Sequence, residues 1–200
     1  MINRFFKLLV LFAMAAACSS KPTTVATKDE VPSAKLLQTQ PQASMLAKEV
    51  AAEQDAPYVA EISFAKGSTH LNAGAKQKLR RLFQSVESTK QVKTVRVVTW
   101  ADQDYPSKQA KRLDSKQIEI VNNRNDEIKR FLQSEHQDIP LDLHSMAERP
   151  GAMKDLLGTA DSRIKKSFES AGIPTTDLAQ KTPSKASKAI VMLVLKKTSK

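Results

Sequence analysis

The sequence predicts one mixed domain of helices and strands, of α/β or α+β class, with elements in the order β-α-β-α-β-α-β. Three observations carry that prediction. From Pro57 onward, short β-branched runs alternate with longer segments whose apolar residues recur at helical spacing. The run Ala189 to Leu195 is uninterruptedly apolar, as a strand covered on both faces must be. The stretch from Pro57 to the end, about 144 residues, is the size of one ordinary domain.

Each element has its own warrant. The first strand is expected over Tyr58 to Ala65, with Val59, Ile62 and Phe64 as its apolar content. Asn72 suits a helix cap, because its short side chain accepts from the unpaired N–H groups of a first turn. Leu79, Leu82, Phe83 and Val86 then make one buried stripe of a surface helix. A second strand, Lys93 to Trp100, carries Val95, Val97 and Val98, β-branched density that places it inside the sheet. After Pro106 a longer helix is expected from about Ser107, its stripe reading Ala110, Leu113, Val121, Ile128, Phe131 and Leu132. Ile139 to Met146 is a third strand, with Leu141 and Leu143 alternating against Asp142 and His144. Pro150 and Gly151 open a third helix that carries Met153, Leu156, Leu157, Ala160, Ile164 and Phe168, and Gly172 with Pro174 stops it. A polar loop from Pro174 to Ser187 leads into the last strand.

Ahead of this domain the chain reads as export and tether. Arg4 and Lys7 precede an apolar run from Leu8 to Ala17, a secretory signal peptide over residues 1–17 that is too short to span a bilayer. Ala15-Ala16-Ala17 offers the small residues of a cleavage site, and Cys18 follows at once. Cys18 is the chain's one cysteine, so no disulfide framework explains it. The segment resembles the lipobox of bacterial lipoproteins, with Ala15 where leucine is usual. That resemblance implies cleavage before Cys18 and diacylation of Cys18, palmitate being such an acyl group. Because Ser19 rather than aspartate follows, it also implies the periplasmic face of the outer membrane. More than one acyl chain is what stable anchoring requires. The alternative is an ordinary signal peptide, for which Ala15 and Ala17 alone suffice.

Residues 18–56 are expected to be anchor and flexible linker. They are rich in Ala, Thr, Gln, Pro, Ser and Lys, hold no aromatic side chain, and lack the bulk for a core. As a coil the segment spans on the order of 35 Å, and pulled straight roughly 125 Å. A short helix over Ala43 to Glu53 is the one element its pattern allows, with Met45, Leu46, Ala47 and Val50 on one side.

The formal charge of the whole chain is +11. Loss of Arg4 and Lys7 with the signal peptide leaves +9, and since residues 19–56 carry four lysines against five acids, the base excess belongs to residues 57–200. No helix-turn-helix, ribonucleoprotein or zinc-finger pattern accompanies it, and export removes nucleic acid as a partner. Anionic envelope polymers and lipid headgroups suit such a domain, and a lysine-rich solubilising surface is the plainer explanation.

Within the second helix Arg124 sits three residues after Val121 and four before Ile128, at the edge of the apolar stripe. A guanidinium there needs an internal carboxylate or an anionic ligand. Asp102 and Asp104, where the second strand passes into its loop, are the carboxylates in reach.

Over residues 57–196 this order of motifs resembles the OmpA-like peptidoglycan-binding domain of outer-membrane porins, peptidoglycan-associated lipoproteins and flagellar stator proteins. Phe64 and Ser68-Thr69-His70-Leu71 are similar to the family's first strand and turn. Thr99-Trp100-Ala101-Asp102 stands for Gly-His-Thr-Asp, Val121-Asn122-Asn123-Arg124 for Leu-Ser-x-x-Arg, and Met146-Ala147-Glu148 for Gly-x-Gly-Glu. The resemblance implies an α+β two-layer sandwich in which helices pack on a mixed four-stranded sheet. It also implies that Asp102 and Arg124 hold the zwitterionic end of a peptidoglycan stem peptide, Asp102 accepting from its ammonium and Arg124 forking onto its carboxylate. The alternative for the pair is an ion pair tying strand to helix. The sequence departs from the family at Thr99 and Ala101, in a longer stretch between Asp102 and Arg124, in an added helical segment around Ala152 to Ala171, and at Ser187-Lys188-Ala189-Ile190 in place of Asn-Arg-Arg-Val.

No enzyme, metal or cofactor is expected. His70, His136 and His144 show no ligand spacing, no Gly-x-Ser-x-Gly or Ser-x-x-Lys context encloses a nucleophile, and no glycine-rich phosphate loop is present. Trp100 is expected to pack rather than to stack on sugar. Two functions follow: a lipid-tethered module that binds peptidoglycan and links outer membrane to wall, or a scaffold of the same fold serving envelope proteins without binding the wall.

Overall fold

In the computed structural model, which describes residues 43–177 and 183–197, the chain runs α1 (Met45–Glu53), β1 (Tyr58–Ser63), α2 (Ala73–Gln84), β2 (Val92–Thr99), α3 (Ser115–Glu135), β3 (Leu141–Ser145), α4 (Ala152–Leu156), α5 (Ala160–Ser170) and β4 (Lys188–Leu195). The expected signal peptide, Cys18 and most of the expected linker lie outside the described residues. The strands form one sheet in the order β1-β4-β2-β3. β4 runs antiparallel to both neighbours and β3 runs parallel to β2, so the class is α+β and the four-stranded sheet is mixed, as expected.

The alternation along β4 explains the layers. Ala189, Val191 and Leu193 face one side, where Leu79, Leu82 and Phe83 of α2 and Ile128 and Leu132 of α3 cover them. Ile190, Met192 and Val194 face the other, where Ala47, Val50 and Ala51 of α1 and Ile164 and Phe168 of α5 cover them. Helices therefore close both faces, and the expected two-layer sandwich is corrected to three layers. An apolar strand without a polar alternate is the sequence signature of that arrangement.

The second correction concerns the domain boundary. Residues 43–56, expected to be linker, belong to the fold. α1 is capped by Ser44, whose hydroxyl accepts from the Ala47 N–H at 3.3 Å, and its face is built of alanine and valine rather than large side chains. Small residues let the helix lie close against the sheet, so they bury fully while giving a weak apolar signal. Met45, expected on that face, points into solvent at 82% exposure.

Two helices differ from their expected lengths. α3 begins at Ser115 rather than near Ser107, because Leu113 donates its N–H to the Ala147 carbonyl at 2.8 Å and the backbone of Arg112 pairs antiparallel with that of Glu148, which holds that stretch extended. Asp114 then caps α3, accepting from the Gln117 N–H at 3.0 Å. The expected third helix is broken in two. Gly158 adopts φ 57°, a left-handed conformation that ends α4, and Thr159 restarts the chain as the cap of α5 through the Ser162 N–H. Met153, Leu156 and Leu157, read as part of one buried stripe, are consequently exposed on α4, while Ile164 and Phe168 on α5 are buried.

If α1 is an integral layer, Val50→Ala lowers the stability by about 2 kcal/mol by opening a cavity against β1 and β4. Met45→Ala stays within about 0.5 kcal/mol. Urea midpoints of the two variants check this; equal midpoints return residues 43–56 to the linker.

Candidate functional site

The site forms where β2 ends. Trp100 continues the ladder by donating its N–H to the Lys188 carbonyl at 2.9 Å, and both Trp100 and Ala101 are fully buried. The Trp100 ring meets Phe168 edge-on at 5.3 Å, which makes it a core side chain, as expected. Asp102 is the next residue to reach the surface. Arg124 approaches it from the middle of α3, and its side chain is 0% exposed against 7% for Asp102.

The two side chains meet directly, Arg124 Nη2 standing 2.5 Å from Asp102 Oδ1. The remaining donors of the guanidinium are spent on backbone: Nε on the Ser68 carbonyl at 2.9 Å, Nη1 on the Trp100 carbonyl at 2.9 Å, and Nη2 also on the Ala65 carbonyl at 3.4 Å. The Phe64 ring lies under the cation at 4.8 Å. Asp102 is equally occupied. Its Oδ1 also accepts from the Ser187 hydroxyl at 2.6 Å, and its Oδ2 from the Gly67 N–H at 2.6 Å. Gly67 holds φ 73°, a conformation that suits glycine and turns this N–H toward the carboxylate. Burial raises the Asp102 carboxyl, but the hydrogen bonds from Ser187, Arg124 and Gly67 outweigh it and hold it below the ordinary value.

Asp102 and Arg124 are thus brought together, and they close on each other rather than flank a gap. Asp104, the other carboxylate in reach, turns to the segment before β4, where it accepts from the Ser184 hydroxyl and from the N–H groups of Lys185 at 2.7 Å and Ala186 at 3.1 Å. Ser187 stood in the sequence only as a departure from the family's Asn-Arg-Arg-Val, with no role given to its hydroxyl. Only the pairing of Thr99 with Ala189, which sets β4 beside β2, carries its hydroxyl to the pair.

Open space lies beside Asp102. A cleft of about 610 Å³ is bordered by Lys66, Thr69, Asp102, Lys116, Glu119 and Asn123, and Arg124 is not on its wall. Lys66 and Lys116 have no ion-pair partner among the described residues. The cleft therefore offers charges of both signs around a carboxylate fixed from below.

Comparison with protein-family models, with curated proteins and with solved structures finds no match for this chain. The histidines are dispersed: His136 stacks on Phe83 at 4.1 Å and His144 pairs with Asp161 at 3.1 Å. Among the described residues no group of His, Cys, Asp or Glu has the arrangement to hold a metal, and no helix is long and apolar enough to cross a membrane.

Asp102→Asn leaves a buried cation unpaired and costs about 3 kcal/mol at neutral pH. Because the folded-state carboxyl lies below its ordinary value, the Asp102 contribution is complete above about pH 4.5 and fades as pH falls through the depressed pKa. Urea midpoints should show a gap between wild type and Asp102→Asn that is constant from neutral pH to about pH 5 and narrows below pH 4. A gap independent of pH contradicts the assignment.

Proposed function

We propose that this chain is an exported lipoprotein, held by acyl groups on Cys18 to the periplasmic face of the outer membrane. Its domain, similar to OmpA-like domains, binds the peptide stems of peptidoglycan noncovalently. The observation that carries the binding is the cleft at the end of β2, where a fixed Asp102 carboxylate stands among Lys66, Lys116 and Glu119. A stem-peptide end with a free ammonium and a free carboxylate finds both counter-charges there: Asp102 and Glu119 for the ammonium, the two lysines for the carboxylate. Arg124 acts in this reading as a positioning residue, since it holds Asp102 and the carbonyls of Ala65, Ser68 and Trp100 without reaching the cleft. No bond is broken and no cofactor enters.

A second reading is favoured by one observation: Asp102 already accepts from three donors, so the pair works as an internal tie. The domain is then a scaffold that meets envelope proteins and leaves the wall alone.

Sedimentation with purified sacculi separates the two readings. The wild-type protein pellets at physiological salt, and Lys66→Glu combined with Lys116→Glu lowers the bound fraction at least about tenfold with the fold intact by circular dichroism. Wild-type protein that stays in the supernatant overturns wall binding and leaves the scaffold. The anchor has its own test: labelled palmitate is incorporated by the wild type and not by Cys18→Ser.

A further inference from the structure

Because β4 is antiparallel to β1 and β2, the start of β1, the start of β2 and the end of β4 meet at one end of the sheet, away from Asp102. A cleft of about 1180 Å³ opens there, and its wall carries Lys93, Arg96, Arg163, Lys196 and Lys197 against two carboxylates, Glu53 and Asp55. The cations are contributed by β2, by α5 and by the tail of β4, so the fold gathers them rather than the local sequence.

Four of the five differ from the cations that the fold uses in its own ion pairs. Lys185 and Lys188 share Glu61, Lys165 pairs with Asp161, Arg149 with Glu169 and Arg80 with Glu135. Lys93, Arg163, Lys196 and Lys197 are exposed and have no ion-pair partner among the described residues. Arg96 is fixed: it is 23% exposed, donates from Nη1 to Gln54 Oε1 at 2.9 Å, and has Nε 3.7 Å from Asp142 Oδ2. Ala160, the first residue of the eleven-residue helix α5, also lines the cleft, so a helix N-terminus with its positive end faces the same space. Like charges drawn together raise one another's energy, and a multiply charged anion relieves them all at once.

We propose that this cleft is a second binding site, for a phosphomonoester dianion. Three outward oxygens and two charges suit a fixed guanidinium, a mobile one and several ammonium groups better than a single carboxylate does. The group can arrive on a lipid headgroup or on a soluble molecule, and the chemistry of recognition is the same. The site is separate from the Asp102 cleft and does not rest on wall binding.

The experiment uses the full chain with Cys18→Ser, so that no acyl group carries it to a bilayer. Glycerol 3-phosphate is titrated while backbone amide resonances are followed. The shifts should centre on Lys93, Arg96, Arg163, Lys196 and Lys197, and acetate at equal ionic strength should not reproduce them. Arg163→Glu with Lys196→Glu weakens the affinity at least about tenfold, whereas Lys108→Glu with Lys129→Glu, the same change in net charge at other exposed positions, keeps it within about twofold. Vesicles of phosphatidylcholine with phosphatidic acid form the second arm, with pure phosphatidylcholine as blank. Binding to both probes points to a lipid source and binding to glycerol 3-phosphate alone to a soluble one; either supports the site. No binding to either probe, or equal losses in the two double variants, overturns it.

Discussion

A buried guanidinium organises the end of the sheet where the candidate site lies. Arg124 enters from α3 with no exposed surface, and such a cation is tolerable only when its donors are met. They are met by two carbonyls of the β1–α2 loop, one at the end of β2, and the Asp102 carboxylate. Asp102 extends the tie through Ser187 to the segment before β4 and through the Gly67 N–H back to the β1–α2 loop. Connections that would otherwise differ in conformation are thereby fixed by one charge pair. Removing either partner leaves the other charged and desolvated, which is why such a pair holds geometry more than it adds net stability.

A second polar group performs a related task at the entry of the domain. Glu61 on β1 accepts from the Ser44 hydroxyl at 2.6 Å and from the ammonium groups of Lys185 and Lys188. Burial raises its carboxyl, but these three partners bring it down to about 2, so its contribution is complete above the ordinary glutamate value and is lost as pH falls toward 2. Ser44 caps α1 and Lys185 lies two residues before Ser187. The start of α1 and the segment that leads to Ser187 are thus held to β1 by one carboxylate, Glu61.

What the sequence revealed depended on side chains large enough to leave a pattern. The unbroken apolar run of β4, the valines of β2 and the Asn72 cap were legible because bulk, β-branching and a short acceptor each have one dominant use. Arg124 was legible as an anomaly, a charge at the edge of an apolar stripe. α1 was legible only in outline, because its buried face is Ala47, Val50 and Ala51 and so resembles linker composition. The break at Gly158 was hidden by periodicity on both sides, since Met153, Leu156 and Leu157 keep helical spacing with Ile164 and Phe168 although only the latter two are buried. Ser187 was legible as a departure from a motif but not as a partner of Asp102, because a hydroxyl in a polar loop acquires that meaning only from strand pairing.

The charge of the domain can now be divided by position. Ion pairs account for many cations, and those of Arg80, Arg149, Lys185 and Lys188 fasten separate segments to one another. Six of the cations without such partners line two clefts at opposite ends of the sheet: Lys66 and Lys116 beside a fixed carboxylate, and Lys93, Arg163, Lys196 and Lys197 beside a fixed guanidinium. Exposed lysines elsewhere, such as Lys48, Lys108, Lys129 and Lys154, serve solubility where they stand, whereas like charges gathered at a concave place repel one another and are relieved by an anionic ligand. The difference between the clefts then lies in the fixed group of each. A carboxylate among lysines suits a ligand of both signs, whereas a guanidinium among lysines suits an anion alone.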